Sequence, residues 1–517
     1  MKRIIALTLS AAAVCSVLLT AGCGRNRPAK QSSSSHSTSA STQTSDSSAS
    51  SDSTASSDSR DGSSRETGTA PPEPQDLAWS KAPGFESLTF GGKTFVIAGS
   101  AGKDPRWESA KEIYSDDAGA VSSAVRERNM IVESLYDCKI ELVTAEDPAE
   151  LAMSEVTANK HTIDVFSATG FGKTMAESGN IYNLYSLGID FSHDWWDPAF
   201  VSAYTVKKTN GTYTLYALMG DFCLSALAAT HAIIVNKNVL ETSTIAENPY
   251  ELVRNHEWTV DKFAEMVRLG AKDTSGNSSL AFEEGDVLGW ARTAHAAHGL
   301  HTASALPIVE TRNGTFVFSP SDDPAAWTNI MDRAISVWHT AGAETLGYTN
   351  VQRAIVANRA LFASEVIDVL ERMRDAEDVR LGLLPYPLYS ASQENYAHYV
   401  DNHVFTYHVP VSVEETDSLA DFLEVFGYHS RYTVRPAFIN TYSYEYCSDP
   451  ESEEMLQLIL NSRSYDPGYH FWSTPEGDLS QMIASSNNNI AQWAEKRKTT
   501  VSSEIAGYIG RISETEA

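Results

Sequence analysis

The feature that most constrains the fold is a long segment near the N-terminus with almost no apolar side chains. Residues 31–69 consist mainly of Ser, Thr, Asp and Ala, and the proline-rich run 70–74 follows them. Such a segment cannot bury enough apolar surface to offset the entropy lost on ordering it. We therefore predict a disordered tether that ends at residue 78 and a folded body that starts at Trp79. A disordered interaction tail is the alternative interpretation of this segment.

The first 22 residues have the pattern of an export signal. Two basic residues precede an apolar or small stretch, Ile4 to Leu19, which is short for a membrane span. The small residues 20–22 then precede Cys23, and this arrangement resembles a bacterial lipoprotein signal. The resemblance implies that 1–22 is removed and that Cys23 is lipidated, so that 23–78 comprises the lipidated cysteine and the tether. Thr20 departs from the Leu usual at that position, and an ordinary secretory signal is the alternative.

The net charge and the hydropathy of the chain limit the classes of partner that it could bind. The chain has 39 basic and 67 acidic residues and a formal net charge of −28. This acid excess argues against a nucleic-acid partner and against electrostatic docking on anionic lipid. After the first stretch, no run of 18 or more apolar residues follows. We therefore expect contact with the lipid bilayer only through acylated Cys23, and a location at the cell membrane on its extracytoplasmic face.

Cysteine spacing predicts neither a metal site nor a disulfide framework. After the N-terminal region, Cys138, Cys223 and Cys447 remain, far apart in the sequence. At most one disulfide could form, and buried free thiols are the expected state. No Cys/His spacing typical of a metal site occurs, so we expect no metal and no cofactor.

The body alternates short apolar strands with amphipathic helices. The predicted strands lie at 94–98, 139–143, 162–166 and 381–384. The predicted helices lie at 121–136, 260–269, 325–340, 361–375 and from Pro450 onward. Asn210-Gly211 and Asn313-Gly314 each predict a two-residue hairpin. The alternation indicates an α/β fold with a mainly parallel sheet, and about 440 residues exceed the ~250–300 that one core usually holds, so we expect two lobes.

A series of short motifs follows in order along the body. They are Trp107-Glu108, 124–129, Asp164-Val165-Phe166, Trp195-Trp196-Asp197, Leu215-Tyr216-Ala217, 234–237, 248–253 and 462–466. Together with the lipoprotein signal and the tether, this ordered set resembles the extracellular solute-binding proteins of bacterial ABC importers, a group related to maltose-binding protein. The resemblance covers roughly residues 89–512.

The resemblance implies a two-lobed, periplasmic-binding-protein-like fold of type II, with a ligand cleft between the lobes. Lobe 1 would comprise 79–236 and 381–427, and lobe 2 would comprise 237–380 and 428–517. The ligand-binding candidates are those that the resemblance places at strand ends and crossing loops: Trp107, Thr169, Asp221, Phe222, Trp290, Glu365 and Tyr442. Aromatic faces with convergent polar groups suit a sugar ligand.

The expected function is therefore non-catalytic: a monomer that delivers a small solute, a carbohydrate by family analogy, to the permease subunits of an ABC transporter. Two alternatives remain open. One is a membrane-tethered extracellular glycan hydrolase, because carboxylates are abundant enough to supply a catalytic pair. The other is a sensory or adhesion binding protein of the same fold, because fold does not decide function.

Residues 167–174 come close to a phosphate-binding loop, but Ser167 stands where the first glycine belongs. We interpret the segment as a strand end at which Ser167 and Thr169 offer hydroxyl groups to a ligand. Residues 273–284 approximate a calcium loop without its central glycine, and we favour a solvated surface loop over a calcium site. His295 and His298 have a spacing that could hold a metal, but no carboxylate stands at a suitable offset, and we favour partial burial or a cleft contact.

Overall fold

The computed structural model describes residues 74–102, 108–374, 376, 378–447 and 449–515. The predicted signal, Cys23 and almost all of the predicted tether lie outside these residues.

The strands, numbered in chain order, are β1 Lys93–Ser100, β2 Cys138–Ala145, β3 Val165–Ala168, β4 Val206–Lys207, β5 Tyr213–Thr214, β6 His231–Asn236, β7 Leu288–Arg292, β8 Val309–Arg312, β9 Thr315–Phe318, β10 Ala343–Thr345, β11 Ala360–Val366, β12 Leu381–Leu384, β13 His398–Tyr399, β14 Thr406–His408 and β15 Arg463–Ser464. The helices are α1 Pro74–Ala78, α2 Ala110–Ile113, α3 Ala120–Tyr136, α4 Pro148–Ala158, α5 Lys173–Glu177, α6 Pro198–Tyr204, α7 Leu224–Ala228, α8 Lys237–Thr242, α9 Pro249–Arg254, α10 Val260–Gly270, α11 Ala296–Ala303, α12 Pro324–Trp338, α13 Tyr348–Val356, α14 Val369–Met373, α15 Thr416–Tyr432, α16 Val434–Asn440, α17 Pro450–Asn461, α18 Pro467–His470, α19 Ser473–Ala484 and α20 Ile490–Glu514.

Many helices begin at an Asp-Pro or Asn-Pro pair, which combines a capping side chain with a residue preset for the first helical position. Asp197 before α6 accepts hydrogen bonds from the backbone N–H groups of Ala199 and Phe200, at 3.0 and 3.1 Å. The same pairing starts α4, α9, α12, α17 and α18. These caps are local in sequence, which is why the start of α17 at Pro450 is predictable.

In the described residues, four strands form a first sheet in the order β14-β3-β1-β2. Strand β1 is parallel to β2 and to β3, and β14 is antiparallel to β3. The carboxyl ends of β1, β2 and β3 therefore lie at one edge of this sheet.

In the same part of the chain, five strands form a second sheet in the order β10-β7-β11-β6-β12. Strands β10, β7 and β11 are parallel, whereas β6 is antiparallel to β11 and β12. Every residue of β6, β7, β11 and β12 is buried, as expected for strands covered on both faces. The carboxyl ends of β7, β10 and β11 share one edge of the second sheet.

Two hydrophobic clusters accompany the two sheets. One contains the inner strands of the second sheet and reaches Phe166 of the first sheet. The other packs Phe95 and Ile97 of β1 against α15, where the Phe95 and Phe422 rings stack at 4.1 Å. The predicted α/β fold class is confirmed, and the two sheets with their cores correspond to the two expected lobes.

The exact lobe bounds stay a prediction. Strands β6 and β12 belong to the second sheet, although the bounds 79–236 and 381–427 assign them to lobe 1. At the N-terminus, α1 forms within the predicted tether, and Tyr428 Oη donates to the Leu77 carbonyl. Packed structure is therefore present at Leu77, ahead of Trp79.

One element is predicted wrongly. The segment 361–375 forms a buried strand, β11, and the short helix α14, where the sequence favours a single helix. Strand β11 lies between β7 and β6, so the pairing of both its edges outweighs the intrinsic helix preference of Leu and Ala. Both predicted hairpins are present, as β4-β5 and β8-β9, but only β8-β9 has the predicted two-residue turn among the described residues. There Arg312 pairs with Thr315 across Asn313-Gly314, whereas in β4-β5 the last strand pair is Lys207 with Tyr213, which leaves a longer loop.

Within the described residues, no helix is both long and apolar enough to cross a membrane. Cys138, Cys223 and Cys447 are buried free thiols, as expected.

Candidate ligand-binding site

A pocket of about 280 Å³ lies beside segments that follow the carboxyl ends of both sheets. Helix α2 and the start of α3 follow β1, whereas α14 follows β11. Helix α7, which precedes strand β6 of the second sheet, and residues of the segment 438–446 complete the wall. Ligands of open α/β sheets bind beyond the carboxyl ends of strands, so this interlobe pocket is the candidate site.

The pocket wall combines carboxylates, hydroxyls and aromatic rings. Its principal side chains are Glu108, Lys111, Glu112, Asp117, Glu371, Arg374, Phe438, Thr441, Tyr442, Glu445 and Tyr446. A larger pocket of about 780 Å³ is lined by 292–294, 338–345 and 480–484, which all pack around the second sheet. Because only segments around one sheet line this larger pocket, it is a weaker candidate for a site that holds a ligand between the lobes.

Glu112 is the most deeply buried acid of the interlobe pocket, with 2% of its surface exposed. Burial raises the pKa of its carboxyl to about 7, although hydrogen bonds from Tyr407 and Ser225 favour the ionised form. The Ser225 N–H donates to Glu112 Oε1 at 2.5 Å, and the Tyr407 hydroxyl donates to Oε2. A neighbouring buried guanidinium, that of Arg128, donates to the Glu112 carbonyl at 2.9 Å. The side chain is thus held rigidly at the pocket wall.

The aromatic wall comes from α16 and the π-helical turn that follows it, Thr441–Tyr446. Phe438 and Tyr442 stack with ring centroids 4.3 Å apart, and Tyr446 meets Tyr442 edge-on at 4.9 Å. Between them, Thr441 is 4% exposed. Its Oγ1 has no hydrogen-bond partner among the described residues, which is a costly state for a buried hydroxyl.

Of the seven ligand-binding residues predicted from the sequence, Tyr442 lines this pocket. Trp107 lies outside the described residues, but Glu108, the next residue, is at the pocket wall. Glu365 is buried in β11 close to its carboxyl end, with 2% exposed. Thr169 is exposed directly after β3.

The remaining three lie in the packed interior. Asp221 is 4% exposed and forms ion pairs with Arg431 and Arg435, each at 2.9 Å. Phe222 is buried in the core of the first sheet. Trp290 is fully buried, and its indole N–H donates to Ser364 Oγ at 2.7 Å. None of the three presents a free face to the pocket, and as binding residues they stay predictions.

The sequence patterns do not indicate Glu112 or Thr441 as binding residues. Glu112 lies on the first helix after β1, so the rule that ligands bind beyond strand ends could have indicated it. Thr441 belongs to a π-helical turn within a stretch rich in tyrosine, and no local sequence signal distinguishes its hydroxyl from the others.

The side chains of the near phosphate loop and of the near calcium loop form hydrogen bonds within the protein. Ser167 is fully buried, and its Oγ lies 2.6 Å from Ser109 Oγ, so this hydroxyl is not offered to the cleft. In the loop 273–284, Asp273 accepts hydrogen bonds from the backbone of Gly276 and Ser278 at 2.6 and 2.8 Å. No group of three or more metal-ligating side chains occurs within the described residues, which include this loop, His295 and His298.

No protein-family model and no curated protein matches the sequence. Solved structures do resemble it. A cyclo/maltodextrin-binding protein complexed with maltotetraose has a TM-score of 0.49 at 12% identity, over 81% of this chain and 96% of its own. A family 1 extracellular solute-binding protein from Bifidobacterium longum has a TM-score of 0.46 at 14% identity, over 81% and 99%. UgpB from Mycobacterium tuberculosis, in complex with glycerophosphocholine, has a TM-score of 0.48 at 13% identity, over 78% and 99%.

These three similar structures are binding proteins of sugars or other small solutes. At identities of 12–14% and TM-scores below 0.5, however, they assign no ligand and no binding residue to this chain.

Proposed function

We propose that this chain is an extracellular solute-binding protein that holds a small hydroxylated solute, a carbohydrate, in the interlobe pocket and delivers it to an ABC permease. The observation that carries the proposal is the pocket itself, which joins segments following strands of both sheets. A ligand that contacts both sides favours a closed state, because the open state cannot make both sets of contacts. Binding, rather than chemistry, is the role that this arrangement supports.

Thr441 provides the sharpest test of the pocket. Thr441→Val removes a buried hydroxyl that lacks a partner among the described residues, so the unliganded protein should keep its stability while a hydroxylated ligand loses a hydrogen bond. We expect the affinity for that ligand to fall by about 1–2 kcal/mol. Thermal-shift screening of a sugar library identifies the ligand, and calorimetry measures the loss.

Thr302→Val is the matched control. Thr302 Oγ1 is also buried without a partner among the described residues, but this residue lies on α11 and away from the interlobe pocket. Equal losses of affinity in the two variants would contradict the assignment of the site. Recovery of the sugar in a chemically changed form would replace the binding function with the hydrolase alternative.

For the location, we propose that acylated Cys23 anchors the protein on the extracytoplasmic face of the cell membrane. The support is the sequence pattern of residues 1–23. Stable anchoring requires more than one acyl chain, so loss of the modified cysteine should be visible. Cys23→Ala should release the protein from the membrane fraction, and unchanged partitioning would refute the anchor.

A further inference from the structure

The charged groups of the interlobe pocket are strongly unequal. Its lining holds five carboxyl groups and two basic groups, namely Glu108, Glu112, Asp117, Glu371 and Glu445 against Lys111 and Arg374. Burial raises the pKa of Glu112, so the other four carboxyl groups carry most of the negative charge. A cleft lined by one sign of charge attracts ligands of the opposite sign.

The two basic groups already face carboxylates. Lys111 Nζ lies 3.2 Å from Glu108 and 3.0 Å from Asp117, and Arg374 Nη1 lies 3.8 Å from Glu371. The single positive charge of Lys111 therefore neutralises at most one of its two neighbouring carboxylates. Neither cation is left to neutralise the rest of the wall.

Glu445 is the carboxylate most available to a ligand. It is exposed on the π-helical turn, and it makes no ion pair or hydrogen bond within the described part of the chain. Its neighbours on the same turn are Tyr442 and Tyr446. A carboxylate beside aromatic rings is a chemical combination that recognises an ammonium group, since the ring faces attract cations as well.

Thr441 supplies an observation that is independent of charge. Thr441 lines the same pocket, and its buried Oγ1 has no partner among the described residues, so a ligand hydroxyl that reached this atom would supply the missing hydrogen bond. The wall thus offers hydroxyl recognition and cation recognition side by side.

We propose that the ligand of this pocket carries a protonated amine next to hydroxyl groups, and is therefore an amino sugar or an oligosaccharide that contains one. This inference rests on the proposed function and narrows its substrate class. The amine would meet Glu445 and the adjacent tyrosine rings, while a hydroxyl would meet Thr441 Oγ1.

The test compares three sugars of equal length by calorimetry at pH 6.5: a glucosamine trimer, its fully N-acetylated equivalent and a neutral glucose trimer. We expect the glucosamine trimer to bind at least about fivefold more tightly than either of the others, with an affinity that falls as salt is added. Glu445→Gln should remove most of that preference.

Glu495→Gln is the matched control, because Glu495 is an exposed glutamate on α20 outside the pocket. Its substitution should change none of the three affinities. Equal or tighter binding of a neutral trimer, unaffected by Glu445→Gln, would overturn the inference but leave the proposed function standing. Binding of none of the three sugars, either in calorimetry or in the wider thermal-shift screen, would overturn both.

Discussion

Asp221 joins two elements through paired charges in the interior of the first sheet's core. Its carboxylate oxygens each meet one guanidinium, from Arg431 on α15 and from Arg435 on α16. Two charge-assisted hydrogen bonds to one buried carboxylate fix the angle between the two helices. Removing the carboxylate would leave two guanidinium groups without their shared partner.

We predict that Asp221→Ala lowers the free energy of unfolding by about 3 kcal/mol, because it breaks a buried ion-pair network from one side. Ligand affinity should stay within twofold of the wild type. Chemical denaturation and calorimetry measure the two quantities. A loss of affinity without a loss of stability would instead support the binding role predicted for Asp221 from the sequence.

Individual binding residues were the hardest part to predict from sequence. Position along the chain identifies Trp290 as lying near a strand end, but it does not say which way the ring points. The neighbours decide this: the Arg292 guanidinium lies over the Trp290 ring at 4.5 Å, and the Trp338 ring meets it edge-on at 5.9 Å. Tyr442 was selected on the same grounds as Trp290 and does line the pocket, which shows how much depends on packing partners distant in sequence.

At the scale of elements, local signals predict many helices and several strands, including the fully buried β12, but they do not predict β11. Helix α3 follows from apolar periodicity alone, whereas α10, α12 and α17 also have a capping side chain next to them in the sequence. The prediction for β11 fails because a short apolar run that is buried on both faces lacks the alternation of apolar and polar residues that distinguishes a strand from a helix. Its identity comes from pairing with β6 and β7, which lie more than a hundred and about seventy residues away.

Close contact between α10 and β7 gives a prediction at this scale. A Cβ atom added at Gly289 would lie 1.8 Å from the carbonyl oxygen of Val267, so helix and strand would have to separate. Gly289→Ala should therefore lower the free energy of unfolding by about 2 kcal/mol or more, as measured by denaturation.

Gly347→Ala is its control, since an added Cβ there meets nothing within 4 Å. This second substitution should change stability by less than about 0.5 kcal/mol. Similar destabilisation by both changes would show that the contact between α10 and β7 is not the cause.

At the scale of the whole molecule, burial keeps many histidines neutral. It lowers the pKa of six of them to about 3 or 4, namely His231, His301, His398, His408, His429 and His470. In the unfolded chain each would titrate near ~6.5. Below that pH the unfolded state binds protons on these histidines, whereas the native state does not. The free energy of unfolding therefore decreases as the pH falls.

We predict that the free energy of unfolding drops steeply between pH 6.5 and 5, by roughly 1 kcal/mol for each histidine at one unit below its unfolded pKa. Glu112 acts in the opposite direction. Its folded pKa of about 7 lies above its ordinary value, so its stabilising contribution is present at low pH and is lost as pH rises through 7. Burial also raises the pKa of Glu424 and of Asp421, which act in the same direction as Glu112. These three carboxyl groups do not offset six histidines, and denaturation series at several pH values measure the net effect. Constant or rising stability on acidification would contradict the prediction.

Because its three described cysteines are buried, the folded body should react slowly with thiol reagents. Burial raises the pKa of Cys138 and of Cys447 to about 12, and that of Cys223 well above its ordinary value, so almost no thiolate is present in the native state. Cys138 and Cys223 belong to the core of the first sheet, whereas Cys447 belongs to the cluster of the second. Pulse alkylation followed by mass spectrometry would then report, cysteine by cysteine, which half of the molecule opens first. A fluorophore could also be attached at an introduced surface cysteine without first replacing these three.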